Sequence, residues 1–217
     1  DTVPRPLGAD DDEDGFEPAR HPLVAELHRR FRGLRHGRAD RILPFLVPTI
    51  LGQKVTGVEQ KRAWRELVRR HGEPAPEPAP EGMRVAPDAA TWRRVPSWEW
   101  HRAGVGPQRS DTVMRAVQLG DSLERLVRRS AVEAVAGLTT VPGIGVWTAA
   151  EVVQRSHGDA DHVSVGDYHV SRRVGAALLG DAVLGRDVDD DRMLELLEPW
   201  RGHRHRVVRL IEAAGIG

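Results

Sequence analysis

The fold is decided by LTTVPGIGVWTAA, residues 138–150. A helix ends at Pro142 because proline lacks an amide hydrogen and its ring clashes with the preceding turn. Gly143 and Gly145 allow the positive φ that a sharp chain reversal needs, and Ile144 can fill the gap between two helices. A second helix begins at once. The pattern therefore predicts two helices joined by a tight hairpin.

Backbone amides at the start of the second helix make this hairpin a candidate anion site. The N–H groups around Gly143, Gly145 and Val146 can bind a phosphate without reading nucleotide sequence. An ordinary connection between two helices is the plain alternative. A dinucleotide-binding fingerprint is a second alternative, but it fails because Thr148 stands where the third glycine belongs and no parallel strand precedes the turn. The hairpin favours binding to the DNA backbone.

A second motif, VSVGDYHV at residues 163–170, places Asp167 where a polar loop meets a helix. Ser164 and Asp167 have the spacing of a capping box, in which Asp167 would only satisfy helix amides. A carboxylate held at the positive end of a helix is also rigidly aimed, which suits stabilisation of a cationic sugar in a transition state. Taken alone, the motif favours the capping interpretation.

The rest of the chain predicts an all-α fold. Apolar residues recur at helical spacing from His21 onward, and no alternating run exceeds a few residues. The proline-rich EPAPEPAP at residues 73–80 is expected to be an extended loop. Residues 1–20 are acidic and contain proline and glycine, so we expect a flexible lead-in there.

Composition excludes several classes of protein. The 217 residues contain no cysteine, which excludes disulfides, thiolate zinc sites and cysteine-ligated iron–sulfur clusters. No apolar run approaches the roughly 20 residues needed to cross a bilayer, so no membrane partner is expected. The formal net charge is zero, but residues 1–20 hold seven of the 32 acidic residues and two of the 32 basic ones. The remainder carries an excess of five positive charges, which permits phosphate contact.

Together, these motifs resemble the helix-hairpin-helix (HhH-GPD) DNA glycosylase superfamily, in particular the 3-methyladenine DNA glycosylase II type. The pairing of PGIGVWTA with a downstream GDY carries the resemblance, which covers about residues 21–215. Three further segments agree with it: ILGQKVTGVEQKRAW (50–64), PSWEWHRAGVGPQRSDTVMRAV (96–117) and EPWRGHR (198–204). The resemblance implies a two-lobed helical fold with a cleft between the lobes. Residues 41–158 would form the lobe with the hairpin, and residues 21–40 plus 159–217 the lobe that carries Asp167.

The resemblance also assigns roles by position. Asp167 becomes the catalytic carboxylate. The hairpin that binds a DNA phosphate, and that in relatives often holds Na⁺ or K⁺ on its backbone, comprises Gly143, Ile144, Gly145, Val146 and Thr148. The base pocket, or the wedge that enters the space left by a flipped base, comprises Gln53, Lys54, Trp147, Glu151 and Tyr168. No other cofactor is implied.

The chain departs from its relatives at several of these positions. Trp147 stands where bifunctional relatives have a Schiff-base lysine, so no lyase step is expected. Lys54 stands where the wedge is usually apolar, and Glu151 and Ile211 stand where several alkyl-base glycosylases have aromatic residues. A core tryptophan with a surface glutamate remains an alternative for Trp147 and Glu151, which share a helix face. These departures bear on which damaged base is the substrate more than on which reaction is catalysed.

The histidines are too scattered to define a metal site. His157, His162 and His169 are spaced like metal ligands, but no carboxylate partner is fixed by the sequence. We therefore favour contact with solvent or phosphate and expect no metal held by side chains.

The sequence predicts a monofunctional DNA glycosylase that hydrolyses the N-glycosidic bond of a damaged, alkylated base in base excision repair. Its partner would be double-stranded DNA with a damaged base. The alternative is a catalytically weak or inactive glycosylase-like module that binds DNA, and a helical protein-interaction domain is the least favoured hypothesis. We expect a monomeric, cytoplasmic, nucleoid-associated bacterial protein.

Overall fold

The computed structural model describes residues 4–216, which divide into two compact units. The first unit comprises the chain up to Asp40 and from Val153 onward, and the second unit comprises Arg41–Val152. Both units are helical, as predicted. No helix among the described residues is long and apolar enough to cross a membrane.

In chain order, the helices are α1 (Pro22–Arg30), α2 (Leu43–Leu51), α3 (Gly57–His71), α4 (Ala89–Arg93), α5 (Ser97–Arg102), α6 (Pro107–Gln118), α7 (Gly120–Glu124), α8 (Ala131–Thr139), α9 (Val146–Ser156), α10 (Val170–Leu179), α11 (Ala182–Gly185), α12 (Asp190–Leu197) and α13 (Arg204–Ala213). Short 3₁₀ helices lie at Pro18–Arg20, Arg125–Arg128 and Glu198–Trp200. Strands β1 (Glu73–Pro74) and β2 (Arg84–Val85) pair antiparallel and close the proline-rich loop, which is extended at its start as predicted.

Capping boxes set the start of two helices in the second unit. The Thr56 hydroxyl accepts from the Glu59 amide at the start of α3, and the Glu59 carboxylate accepts from the Thr56 amide in return. Ser130 and Glu133 repeat the arrangement at the start of α8. Each box satisfies two amides that the helix itself leaves unpaired. Local sequence thus fixes where α3 and α8 begin, and α8 is the helix that leads to the hairpin.

The core of the second unit is built around tryptophans and helix α6. Trp92 stacks on Trp100 with ring centroids 5.5 Å apart and an angle of 22° between the rings. The Trp100 indole N–H donates to the Val95 carbonyl at 3.3 Å, so its polar atom is satisfied inside the core. Helix α6 packs against α2 and α4. It therefore forms a rigid support inside this unit.

The core of the first unit joins both ends of the chain. Helix α1 packs against α13, and α10 packs against α11, α12 and α13. The apolar side chains at its centre are fully or almost fully buried: Val24, Leu27, Val174, Met193, Leu197, Val207 and Ile211. Their burial is the main favourable term in holding these helices together.

A buried ion pair fixes the acidic N-terminal segment to α13. The Asp11 carboxylate accepts two bonds from the Arg206 guanidinium, at 2.6 and 2.9 Å, and the two side chains are 1% and 4% exposed. The Trp200 indole donates to the Glu17 carbonyl at 2.9 Å. The flexible lead-in that we expected over residues 1–20 is therefore corrected for residues 4–20, because the buried guanidinium requires the carboxylate that this segment supplies.

The boundary between the units also differs from the expected one. We expected the hairpin lobe to run to residue 158, but the first unit already begins again at Val153. The Arg155 and Ser156 carbonyls accept from the amides of Ala39 and Asp40, at 3.1 and 3.0 Å. The boundary lies inside α9, whose sequence continues its helical pattern without a break, so periodicity could not reveal it.

Two buried histidines lie beside this ion pair. The rings of His36 and His205 meet edge to face with centroids 5.2 Å apart, and the His36 amide donates to Asp11. Burial, followed by the charge of Arg206, lowers the pKa of His36 to about 4. Burial, followed by the charge of His36, lowers the pKa of His205 to about 3. Both rings are neutral at pH 7.

Asp11→Ala should strongly destabilise the protein. It leaves the Arg206 charge buried without its partner, which typically costs about 3–5 kcal/mol. Urea unfolding measures the loss. The control is Asp10→Ala, which breaks the Arg5–Asp10 pair, whose side chains are both 44% exposed. The control should lose much less, because solvent screens an exposed pair; equal losses would contradict a buried role for Asp11.

The folded state should lose stability in acid. As the pH falls below about 6.5, His36 and His205 become protonated in the unfolded chain. In the folded chain they stay neutral until the pH reaches their lower pKa values, so the unfolded state binds more protons. The free energy of unfolding therefore falls between about pH 6.5 and 4. His205→Phe should make this dependence shallower in urea titrations at several pH values. Exposed His101→Phe is the control, and an identical slope in both variants would refute the assignment.

Candidate functional site

The predicted hairpin joins α8 to α9 in the second unit. Ile144 is 4% exposed and packs in the core, whereas Pro142, Gly143 and Gly145 are exposed. The turn is thus anchored by a buried side chain and presents its backbone to solvent. Because the first amides of an α-helix have no partner within the helix, the start of α9 is suited to bind an anion.

Gly143 is the residue on which the turn depends. Its φ is +94°, a conformation that residues with a Cβ rarely adopt. A Cβ on Gly143 would also lie 2.3 Å from the Thr112 hydroxyl oxygen, and Thr112 is 1% exposed on α6. A Cβ on Gly145 would meet no atom within 4 Å. The turn therefore lies directly on α6 at Gly143.

Gln53 ties a neighbouring loop to the hairpin. Its side-chain amide donates to the Gly143 carbonyl and to the Thr148 hydroxyl, both at 2.9 Å. Both amide hydrogens are used, so Gln53, which we expected in the pocket or wedge, instead holds the turn in this structure. Thr148 is 2% exposed, so its side chain supports the hairpin from inside and does not reach a phosphate at the surface.

Lys54 follows on the same loop. It is exposed, and its φ of +55° is unusual for a residue with a side chain. The Gln60 side-chain amide donates to the Pro48 carbonyl at 2.8 Å and anchors the end of α2 that leads into the loop. The loop is fixed on both sides of Lys54, because the capping box at Thr56 follows. The predicted wedge position is thus an exposed cation on a constrained backbone.

Trp147 and Glu151 lie one turn apart on α9. Both residues are half-buried, so neither a core tryptophan nor a fully exposed glutamate describes them. Their spacing places them on one face of the helix, immediately after the hairpin. The sequence prediction for their shared face agrees with this placement.

Asp167, in the first unit, is half-buried and holds the turn that leads into a helix. One carboxylate oxygen accepts from the amides of His169 and Val170 at 2.8 and 3.2 Å. Helix α10 begins at Val170, three residues after Asp167, and its N-cap is His169. Ser164 and Asp167 therefore do not form a capping box at its start, although Asp167 does accept from Val170, the first residue of the helix. The two amides also fix the direction of the carboxylate.

A second carboxylate braces the loop before Asp167. The Gly166 amide donates to Asp190 at the start of α12, at 2.9 Å. The Asp167 amide donates to the Ser164 carbonyl at 3.1 Å. The backbone on the N-terminal side of Asp167 is thus held by these bonds, and its C-terminal side by the two bonds to its carboxylate.

Tyr168 is an exposed aromatic residue beside Asp167. It is 70% exposed, and the Arg172 guanidinium lies 4.6 Å from its ring centroid. The His169 ring meets it edge to face at 4.8 Å. These contacts orient a flat apolar surface next to the carboxylate.

The predicted site residues divide between the two units. Asp167 and Tyr168 belong to the first unit, and the other nine belong to the second: Gln53, Lys54, Gly143, Ile144, Gly145, Val146, Trp147, Thr148 and Glu151. Sequence reasoning missed Thr112 and Arg115, which also contact the turn. The sequence did place them three residues apart on a helix that follows the turn GVGP (104–107), and this spacing was the one sign that they share a contact.

The histidines proposed as metal-ligand candidates have other partners. His162 is bonded to the Asp159 carboxylate at 2.9 Å, and this hydrogen bond is the main cause that raises the pKa of His162. The His157 ring lies 2.7 Å from the Ser156 hydroxyl. Within residues 4–216 there is no group of three side chains that could hold a metal ion.

Gly143→Ala should disturb the hairpin, whereas Gly145→Ala should not. The first change costs about 1–2 kcal/mol from the positive φ alone, before the contact with Thr112 is counted. The second should change the free energy of unfolding by less than about 0.5 kcal/mol. Urea unfolding compares them. Adding Thr112→Ala to Gly143→Ala should recover part of the loss, and equal effects of the two alanines would contradict this geometry.

No family model and no curated protein matches the chain. Solved structures do match it. A 3-methyladenine DNA glycosylase from Archaeoglobus fulgidus has a TM-score of 0.78 at 19% identity, over 97% of this chain and 71% of its own. An 8-oxoguanine glycosylase/lyase from Clostridium acetobutylicum has a TM-score of 0.76 at 15% identity, over 97% and 73%.

A third solved structure was determined with nucleic acid. It is the 3-methyladenine DNA glycosylase of Schizosaccharomyces pombe in complex with abasic DNA, with a TM-score of 0.68 at 16% identity over 94% of both chains. The likeness extends over almost the whole of this chain in all three comparisons. It agrees with the resemblance that the hairpin and the GDY motif predicted. The chain therefore has the fold of these DNA glycosylases.

Proposed function

We propose that this chain is a DNA glycosylase that removes alkylated bases from double-stranded DNA by hydrolysis, in base excision repair. One observation carries the proposal: the Asp167 carboxylate is half-buried and fixed by two backbone amides. The fold it shares with DNA glycosylases and the exposed hairpin backbone support it. We further propose that the protein acts as a monomer in the bacterial cytoplasm.

The hairpin would hold the DNA backbone while the damaged base leaves the helix. Exposed amides at Gly143, Gly145 and Val146 bind phosphate without reading the sequence, which suits an enzyme that must act at any position. A target base inside a duplex is inaccessible, so the nucleotide must be extruded before the chemistry. A Na⁺ or K⁺ at the hairpin would bind backbone carbonyl oxygens.

Asp167 would stabilise the sugar as the bond from C1′ to the base nitrogen breaks. Positive charge develops on the deoxyribose in this step, and a fixed carboxylate offsets it without reorganising. The same carboxylate would orient the attacking water. An alkylated base is already cationic and leaves readily, so the reaction needs no separate general acid. The products would be a free base and an abasic site.

The second step of a bifunctional enzyme is not expected. That step needs an amine at the reacting sugar, and Trp147 occupies the position of the Schiff-base lysine. The only lysines of the sequence are Lys54 and Lys61. We therefore propose a monofunctional reaction that ends at the abasic site.

Asp167→Asn tests the assignment with little change of structure. The asparagine carbonyl can still accept from the amides of His169 and Val170, so these two bonds are retained while the charge is lost. We expect excision of methylated bases from a duplex to fall on the order of 10²–10³-fold. Abasic-site formation, read by alkaline strand cleavage, measures this.

A matched control is present in the same unit. Asp181 caps α11 with one oxygen that accepts from the amides of Val183 and Leu184, at 2.6 and 3.2 Å. Asp181→Asn makes the same chemical change at a carboxylate with an equivalent pair of bonds and should leave excision unchanged. Equal activity of Asp167→Asn and the unaltered protein would reject the catalytic assignment.

A DNA-binding module without turnover is the second candidate. Lys54 and Glu151 favour it, because they stand where relatives have apolar or aromatic residues. Ile211 is fully buried in the core of the first unit, so it offers no stacking surface. Tight binding to a duplex with an abasic or alkylated site, without release of base, would identify this function.

A further inference from the structure

Arg115 is held against the turn of the hairpin. Its Nε donates to the Pro142 carbonyl at 3.0 Å, and one terminal nitrogen donates to the Thr112 hydroxyl at 3.0 Å. Pro142 is exposed, and Gly143 beside it lies on Thr112. The guanidinium is thus placed next to the exposed backbone of the turn by two neutral acceptors.

Arg109 is held in a similar way six residues earlier on α6. Its two terminal nitrogens donate to the carbonyls of Leu51 and Gly104, at 2.7 and 3.1 Å. Leu51 ends α2 and leads into the loop on which Gln53 is bonded to the hairpin. Arg109 therefore fixes the loop that braces the turn.

The charge of these two arginines is not neutralised by an ion pair. Neither forms one with any carboxylate of residues 4–216, although the sequence has equal numbers of acidic and basic residues. Arg70, by contrast, is paired with Glu99, and the Glu59 carboxylate near Arg109 is engaged in the capping box with Thr56. Two positive charges therefore remain beside exposed amides that also attract anions.

The two arginines lie six residues apart on α6, on either side of the buried Thr112. Six residues of helix rise about 9 Å, so the two side chains start from different points along the helix and each is held at a different exposed loop. A guanidinium has five N–H donors, and each arginine uses two of them for the loops. The remaining donors are oriented in advance, which reduces the entropy lost when a phosphate binds.

We propose that Arg109 and Arg115 bind backbone phosphates of the duplex that the hairpin amides hold. The inference rests on the proposed function and deepens it, because it adds two side-chain contacts to the backbone site. Phosphodiester is the ligand chemistry that fits, since planar guanidinium groups and helix-terminal amides both favour phosphate oxygens. Each arginine also positions a loop, so its test must separate charge from position.

Salt dependence of binding makes this separation. Binding of a short, undamaged, fluorescein-labelled duplex is measured by anisotropy between about 50 and 200 mM salt. Arg115→Gln retains an N–H that can reach Pro142 but loses the charge. The slope of log K against log salt should therefore decrease in magnitude by about 0.9, the value for one phosphate contact. Arg115→Lys retains the charge and should keep the original slope.

Further variants guard against a purely structural effect. Arg109→Gln should reduce the magnitude of the salt-dependence slope by a similar amount. If urea titrations show that Arg115→Gln is unfolded, the slope of Arg109→Gln tests the proposal in its place. Arg93→Gln is the matched control, because the Arg93 Nε donates to the Ala89 carbonyl of its own helix and the side chain forms no ion pair with any carboxylate of residues 4–216. Its slope should equal that of the unaltered protein.

The outcomes distinguish the two levels of the proposal. Salt-dependent binding of the unaltered protein, with equal slopes in Arg115→Gln and Arg115→Lys, would overturn the inference and leave the glycosylase function standing. Binding by the unaltered protein that does not depend on salt, or no binding at all, would overturn the proposed function and this inference with it. A lower slope in the glutamine variants alone supports both.

Discussion

The close approach between Gly143 and Thr112 is the constraint on which the candidate DNA-binding face depends. It sets the turn directly on α6, which is itself packed inside the second unit. Gln53 and Arg115 then bond to carbonyls of the same turn. Because these bonds occupy carbonyls, they orient the turn without consuming the amides that an anion would need. A binding surface made of backbone gains its precision from such supports.

Local features of this structure could be predicted from the sequence, and long-range partners could not. The hairpin was predicted because Pro142 restricts its own φ and cannot continue a helix, while Gly143 permits the positive φ that the turn needs. The bond from Gln53 to the Gly143 carbonyl joins residues 90 positions apart, and no periodicity encodes that choice. The acidic N-terminal segment was misread for the same reason, since composition counts charges without revealing that Asp11 has a buried partner.

Asp167 illustrates how one pattern can carry two compatible meanings. Its side chain accepts from the first amide of α10, as the simpler interpretation of VSVGDYHV required, but Ser164 and Asp167 form no capping box because the helix begins only at Val170. The two bonds also restrict the rotamers of Asp167, which is what a fixed counter-charge requires. The sequence located the carboxylate, whereas the brace from Asp190 depends on a loop contact 24 residues away and became visible only in the structure.

The first unit is assembled from both ends of the chain, and this has a consequence for folding during synthesis on the ribosome. Residues 41–152 are continuous, so every partner of that unit has emerged once Val152 is free of the exit tunnel. Asp11 must wait for Arg206, which is made 195 residues later. We therefore expect the second unit to fold first during translation. The acidic N-terminal segment would stay in contact with water until α13, which carries Arg206, leaves the ribosome.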